Sequence, residues 1–583
     1  MAAVEPRLSR VPFYARVRGA MNAAAWVVSP PRPEADALAA ALAIPPAIAR
    51  VLVNRKVLTP DAARAFLHGG LEGLHDPYLM KDMDRAVERV AAAIERREKI
   101  LVFGDYDVDG VLSTVMLKKA LTSLGADVDH FIPERLTEGY GIKAEHVRVP
   151  VERGASLVIS VDCGVKAVEF TAGAREKGID VVVTDHHRPG EALPDAVAVL
   201  DPVRADAGYP DRGLAGVGVV FKLIQALLER AGRGAGLPHY MKLVAIGTVA
   251  DVAELKGENR LFVKHGLKGL REVANPGLRG LIEACGLGRR DISEGDLGFR
   301  IGPRINAAGR MGMTDLAVRL FFSEDAAETA DLVRKLDDLN SRRQRTEERI
   351  FAEACERVES RGLDRKYKCL VLGSAEWHRG VIGIVASKLK DRFHRPVILF
   401  AYDDGKAVGS GRSVSEVPLI DLLDACRGHF RSYGGHRLAV GCTLPVDGMP
   451  AFRADLNLLA EARISGDDLT RKVRIDGPLG FAEIDDRFLD VYARLAPFGV
   501  GNPKPLFVAE GVEVAGEPRV LKGKHVKFPA RQDGRVLDAL GWGKADWRHA
   551  LRRGGRAALA FSLARDEYMG EVRTSLSVED LRV

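Results

Sequence analysis

The chain has 583 residues, 46% hydrophobic and 28% charged, with a formal net charge of +6. That is ordinary globular composition and enough chain for about three to five domains, so it excludes a disordered polymer and a stapled miniprotein; the small basic excess is compatible with a polyanionic partner without establishing one. The six cysteines, Cys163, Cys285, Cys355, Cys369, Cys426 and Cys442, are scattered without a CxxC pair, which excludes zinc-finger spacing and fits a reducing cytoplasm.

Residues 1–95 read as an Ala-rich helical region. Arg16 and Arg18 precede a weak apolar stretch, Met21 to Val28. It is too short for a signal peptide and has no small-residue cleavage site; Met21 is an alternative start. No apolar run approaches the ~18 residues of a membrane helix, so no membrane association is expected.

From residue 98 the texture changes. Short apolar runs, KILVFGD, DVDHFIP, SLVISVD, DVVVTD and AVAVLDP, alternate with helix-length segments. This is the pattern of a mostly parallel sheet with crossover helices, and it assigns residues 96–322 to one α/β domain. Two helices are expected within 214–251, and the Gly/Arg/Asn-rich run 298–312 reads as a loop. Residues 323–362 form a long charged connecting helix whose apolar stripe includes Leu332, Leu336, Leu339 and Ile350; it is expected to bridge two domains. A smaller α/β unit follows over 363–465, with glycine-rich turns expected at GSGRS and YGGH. The segment 466–583 carries short strand-like runs and reads as a small β-barrel or sandwich. The expected fold class is therefore an α/β multidomain protein ending in a β-barrel.

The chemistry lies at the ends of the first strands. KILVFG runs into Asp105, Asp107 and Asp109, SLVISV into Asp162, and DVVVT into Asp185, His186 and His187. A single aspartate ending a strand is ordinarily a turn former or a helix N-cap. Three separate strands ending this way deliver five aspartates and two histidines to the carboxyl edge of one sheet, where open α/β folds bind ligands. Crowded carboxylates repel, and burial worsens the repulsion. Two divalent ions, Mg²⁺ or Mn²⁺, would offset it, with the imidazoles favouring Mn²⁺. Such a pair serves phosphoryl transfer. A calcium loop does not fit DxDxDG here, because Met116 stands where the Glu is required.

FGDYDVDG (103–110), VDCG (161–164), TDHH (184–187) and VADV (249–252), in that order, resemble the DHH phosphoesterase superfamily. GPRINAAGRMG (302–312), WHRGVIGIVAS (377–387), GSGRS (409–413), YGGHRLAVG (433–441) and PFGVGNPKP (497–505) narrow the resemblance to the RecJ single-strand exonucleases, from about residue 98 to the C-terminus. The resemblance implies 5′-to-3′ hydrolysis of single-stranded DNA to mononucleotides, in DNA repair and recombination. It implies Asp107, Asp109, Asp162, His186 and Asp251 as ligands of two metals with Asp162 bridging, and Asp105 and His187 alongside. Asp251 comes from the resemblance alone. Phe103 stands where some members have a metal-binding histidine, and it cannot ligate. The second α/β unit resembles the DHH-associated domain, with Ser410, Arg412 and His436 holding phosphate and Arg304, Asn306 and Arg310 facing them. His187 or His378 is the expected proton donor to the leaving oxygen. A single-strand-binding protein and a helicase are the implied partners.

The tail resembles an OB-fold. Lys522, Lys524, His525, Lys527 and Arg531 interleave with Phe528, and Lys544, Arg548, Arg552, Arg553 and Arg556 surround Trp542 and Trp547. Basic side chains can track phosphates while aromatic rings stack on bases, so Phe528 and Trp542 are the expected base contacts. Two other readings compete: a DHH phosphodiesterase for short oligonucleotides or cyclic dinucleotides, and a non-catalytic DNA-binding scaffold. Activity on oligonucleotides of increasing length separates the first, and metal-dependent nucleotide release separates the second.

Overall fold

A computed structural model describes residues 24–134, 138–139, 141–288, 290–568 and 571–583. Met21 lies outside the described residues. The segment after it does not continue the expected helix: Ala25–Val28 is a strand, β1, paired in parallel with β12 (Lys472–Ile475) near the other end of the chain. Val27 and Val28 are β-branched and favour extended backbone, and a distant partner strand supplies the hydrogen bonds.

The helices Pro33–Leu42, Pro46–Asn54 and Pro60–His68 follow, each with proline in its first turn, where no amide donor is missed. Their Ile48, Leu52 and Leu67 share one core with Phe481, Phe488 and Phe507 of the C-terminal region. The two ends of the chain thus form one body.

The central sheet holds β2 (Lys99–Gly104), β3 (Asp127–Phe131), β4 (Leu157–Val161), β5 (Asp180–Thr184) and β6 (Ala198–Leu200). It is parallel throughout, in the order β3-β2-β4-β5-β6. Helices cover both faces, so the strands are apolar on both sides: Ile100 and Val102 enter one core, Leu101 and Phe103 the other. Phe103 packs 5.2 Å from Phe131, ring centre to ring centre. The chain leaves β2 toward β3 on one side and proceeds from β4 to β6 on the other. The crevice between the carboxyl ends of β2 and β4 is therefore the topological switch point, where open α/β sheets bind ligands.

Helix Ala326–Ser360 is the bridge expected from its sequence. Leu332, Leu336 and Leu339 belong to the core of the first domain, while Ile350, Ala354 and Val358 belong to that of the second. The second domain is a mixed sheet of β7 (Leu370–Ser374), β8 (Val397–Asp403), β9 (Lys406–Arg412), β10 (Ser432–His436) and β11 (Ala439–Pro445), in the order β10-β11-β9-β8-β7. The C-terminal unit adds β13 (Gly477–Pro478), β14 (Phe507–Val514), β15 (Arg519–Leu521), β16 (His525–Gln532), β17 (Arg535–Gly541), β18 (Arg556–Tyr568) and β19 (Glu571–Arg582). Strands β14-β18-β19-β17-β16 close into a five-stranded barrel through β14 and β16, which decides between barrel and sandwich.

Three further expectations fail. The expected loop 298–312 is a π turn, Leu297–Ile301, running into an α-helix, Gly302–Arg310. Pro303 starts this helix, and Gly309 lets it approach closely, since a Cβ there would lie 2.2 Å from the Tyr106 carbonyl oxygen. GSGRS and YGGH are not turns but lie on β9 and β10. Gly409 and Gly411 make room within the sheet: a Cβ at Gly409 would sit 2.4 Å from Phe400, and one at Gly411 2.6 Å from Val440. Phe528, expected to stack on bases, is 1% exposed inside the barrel, with Trp547 also buried. Trp542 remains outside, 58% exposed. All six cysteines are buried free thiols, and no helix among the described residues is long and apolar enough to cross a membrane.

Candidate metal centre

Each acidic strand end is fixed by backbone donors. Asp107 caps the helix Val108–Ser123, its Oδ1 accepting from the Gly110 amide at 3.1 Å. Asp109, in the first turn, accepts from the amides of Gly216 (2.8 Å) and Val217 (2.6 Å). Those amides open the helix Gly216–Arg230, whose positive dipole end favours a carboxylate. Asp162 follows β4 with φ +61°, a left-handed conformation uncommon outside glycine. Gly216 leaves it space, because a Cβ there would lie 2.7 Å from Asp162 Oδ1. Asp185 is buried and accepts from the Val165 amide; its Oδ1 lies 2.7 Å from His187 Nδ1 and so sets the direction of that ring. Asp251 ends the helix Met241–Ala250.

These side chains converge. The ligand atoms of Asp105, Asp107 and Asp162 lie within 4.8 Å of one another, as do those of Asp109, His186 and Asp251, and those of Asp162, His186 and His187. Asp162 and His186 each belong to two of these groups. His186 Nε2 is 3.1 Å from Asp162 Oδ1, 3.9 Å from Asp251 and 4.0 Å from Asp109.

The centre is short of positive charge. Burial, reinforced by Asp107 and opposed by His186 and the two amides, pushes Asp109 up to about 6. Asp162 and Asp251 are held well above the usual carboxylate range, chiefly by burial and then by neighbouring aspartates. Burial works against protonation of His186, but the surrounding carboxylates outweigh it and raise its pKa. Asp162 Oδ1 and His186 Nε2 are buried with no hydrogen-bond partner among the described residues, an arrangement that costs free energy unless something positive binds there. Hard oxygen donors with one or two imidazoles fit Mg²⁺ or Mn²⁺.

Sequence reading passed over Asp201. It ends β6 as the other aspartates end their strands, is fully buried, and is pushed up to about 6, mainly by burial with Asp185 adding. Its signal was the same one: an aspartate directly after a Val-rich strand, in AVAVLDP.

The second domain faces the centre. A Cβ at Gly383, in the first turn of helix Ile382–Phe393, would meet Ser410 Oγ at 2.9 Å and an Arg412 nitrogen at 3.2 Å. A hydroxyl, a guanidinium and a helix N-terminus thus gather at one spot, a combination suited to a phosphate. His436, on the edge strand β10, has its pKa lowered by burial and then by His187, Lys166 and Arg188, which brings it near the metal-centre histidines. Arg310 donates to the Gly380 carbonyl at 2.8 Å and links the two domains. His378 Nδ1 accepts from the Gly380 amide at 3.1 Å. Asn306 Oδ1 accepts from the Val108 amide at 3.2 Å, so it braces the acidic loop. Arg304 is committed to Asp337 of the long helix at 2.8 Å.

A parallel sheet with acidic strand ends at its switch point, facing a second domain that presents a hydroxyl, a guanidinium and a helix N-terminus, defines a metal-dependent phosphodiesterase. Family models agree in chain order: the DHH family N-terminal domain matches residues 99–248, the DHHA1 domain 366–462 and the RecJ OB domain 475–580. The single-stranded-DNA-specific exonuclease RecJ of Bacillus subtilis is 38% identical over 559 residues, covering 95% of this chain and 70% of that protein. The Escherichia coli RecJ is 33% identical, covering 92% of this chain and 96% of its own. The crystal structure of Thermus thermophilus RecJ in complex with Mn²⁺ matches with a TM-score of 0.82 at 34% identity, over 96% of this chain and 79% of that one; a Mg²⁺ complex matches at 0.75. The chain belongs to the RecJ exonuclease family.

Proposed function

We propose that this chain is a single-stranded-DNA-specific exonuclease that degrades from the 5′ end and releases 5′-mononucleotides by two-metal hydrolysis. The observation that carries the reading is the set of three overlapping Asp/His groups, the ligand atoms of each within 4.8 Å of one another, together with Ser410 and Arg412 of the second domain. Asp105, Asp107 and Asp162 would hold one ion, Asp109, His186 and Asp251 the other, with Asp162 shared between them. The chemistry such ions supply is charge neutralisation at the phosphate and acidification of the attacking water.

The chain's own residues do the positioning. Ser410 and Arg412 bind a backbone phosphate from the second domain, and His436 closes the site from that side. Asp185 holds His187 in one orientation, as a proton donor for the leaving oxygen needs. Arg310 and Asn306 maintain the spacing between pocket and metals. Arg304, already neutralised by Asp337, contributes to that frame more than to phosphate. The exposed Trp542 offers a stacking face on the barrel. A single-strand-binding protein and a helicase are the partners this reading calls for.

The test is a time course on 5′-labelled and 3′-labelled single strands with Mg²⁺ and with Mn²⁺. The reading requires early release of the 5′ label as mononucleotide and no cutting in EDTA. Release from the 3′ end, preference for dinucleotides, or no metal-dependent release would each overturn it.

A further inference from the structure

Asp251 sits at a strained place. The residue after it, Val252, has φ +65°, a costly conformation for a β-branched side chain, and it is 63% exposed, so little core packing of its own holds it. On one side the helix end holds this turn, with the Asp251 amide bonded to the Gly247 carbonyl at 2.8 Å. On the other side the support comes from far along the chain: the Leu255 amide donates to the Val500 carbonyl at 2.7 Å.

Val500 lies in the PFGVGNP segment 497–503 that leads into the barrel. The segment is locked from behind. Arg260, 3% exposed, donates to the carbonyls of Arg494 (2.9 Å), Ala496 (2.9 Å) and Pro497 (3.2 Å) and lies 3.8 Å from the Phe66 ring centre. Asn502, fully buried, donates to Leu495 and Pro497, both at 2.8 Å, and accepts from Arg55. The Phe498 amide reaches Glu294 at 2.9 Å, just before the turn that starts the Gly302–Arg310 helix. Gly499 and Gly501 give the segment its close approach: a Cβ at Gly499 would meet Leu255 at 2.8 Å, and one at Gly501 would meet Glu254 at 3.1 Å.

We infer that this segment, held by Arg260 and Asn502, is a positioning element for Asp251, coupling the seating of the C-terminal unit to the affinity of one metal site. The inference rests on Asp251 being a metal ligand. A buried fork on three carbonyls, a single long-range amide bond and a strained turn form one continuous path. Outer partners of metal ligands are worth about 10–100-fold in metal affinity.

The experiment measures Mn²⁺ binding by calorimetry and by electron paramagnetic resonance on the full chain, alongside steady-state kinetics on a single-stranded oligonucleotide. Arg260→Met and the milder Gly499→Ala should each weaken one Mn²⁺ site about 10–100-fold and leave the other unchanged. Turnover should fall at limiting metal and recover at saturating Mn²⁺, with KM for the oligonucleotide unaltered; Arg260→Lys should fall between. If Arg260→Met does not fold, Gly499→Ala carries the test. Wild-type Mn²⁺ binding in a folded variant, or a loss confined to KM, overturns the inference. Asp251→Asn is the control: it should remove the same site, and if both sites stay filled the ligand assignment itself fails and takes the inference with it.

Discussion

His186 and Asp162 arrive from neighbouring strands, β5 and β4, and meet with Nε2 3.1 Å from Oδ1. The geometry leaves both atoms without a hydrogen-bond partner among the described residues. A histidine and an aspartate placed this way for stability alone would share a proton along a straight line. Two buried atoms so close and yet without a hydrogen-bond partner are what a pair that converges on a third body looks like.

Asp162 therefore carries the first prediction. Asp162→Asn keeps the volume and removes the charge shared between two of the acidic groups. Turnover should fall by about 1,000-fold or more, about 4 kcal/mol of transition-state stabilisation, while single-stranded DNA binding measured by fluorescence anisotropy stays within about twofold, since the expected phosphate and base contacts lie elsewhere. Equal loss of binding and turnover would show that Asp162 shapes the groove and not the reaction.

Much of this was legible in the sequence because its signals are local. An apolar run ending in aspartate reports a strand and its carboxyl edge at once, and the stripe of helix Ala326–Ser360 shows its two-domain role in the spacing of Leu332 to Ile350. The failures share another cause. Gly409 and Gly411 signal a turn locally, but they are glycines because Phe400 and Val440 occupy the space a side chain would need. Val27 and Val28 became a strand through a partner more than 400 residues away. Phe528 lies on a basic, aromatic stretch, yet alternation along β16 turns it inward. Asp251 sits at a helix end with no periodic signature at all.

The two aromatic side chains once expected to do the same job should now separate. Phe528→Ala opens the barrel core and should cost about 3–5 kcal/mol of stability, visible as a lowered Tm. Trp542→Ala should leave Tm unchanged and raise KM for long single strands by an amount equivalent to about 1–3 kcal/mol. Substrates too short to reach the barrel should not respond. A Tm loss for Trp542→Ala would place that ring in packing.

A pH prediction follows from two histidines outside the metal centre, His130 half-buried and His146 buried. His130 has its pKa lowered by burial and then by Lys118, against Asp315 and Asp129. His146, packed 5.5 Å from Phe103 and only 1% exposed, is lowered by burial, with Lys143 and Arg148 adding and Glu138 and Glu145 opposing. A depressed pKa means that the fold prefers the neutral ring. The stability this preference gives is complete above the unfolded value of about 6.5 and is lost as pH falls from there toward the folded values, because the unfolded chain takes protons first. Between pH 7.5 and 5.5 the denaturant midpoint of the wild type should fall relative to that of the His130→Gln, His146→Phe double variant, because the raised carboxylates of Asp109, Asp162, Asp201 and Asp251 act equally on both. An equal slope in the double variant would mean that the loss comes from other groups.

Arg412 and the helix that starts at Ile382 decide how the substrate end is held. A guanidinium next to a hydroxyl and a helix N-terminus makes directional bonds to a phosphate, so Arg412→Lys is not a mild change here. A charged hydrogen bond is worth about 1.5–3 kcal/mol, so KM for a 5′-phosphorylated single strand should rise roughly 10–150-fold. Single strands bearing a 5′-hydroxyl distinguish two roles for the pocket. If Arg412 grips the terminal phosphate, the variant should lose its preference between the two substrates. If it grips an internal phosphate, both substrates should weaken equally and the preference should survive. With Ser410 and Arg412, gathered at Gly383, read as holding a backbone phosphate, the second outcome is the expected one.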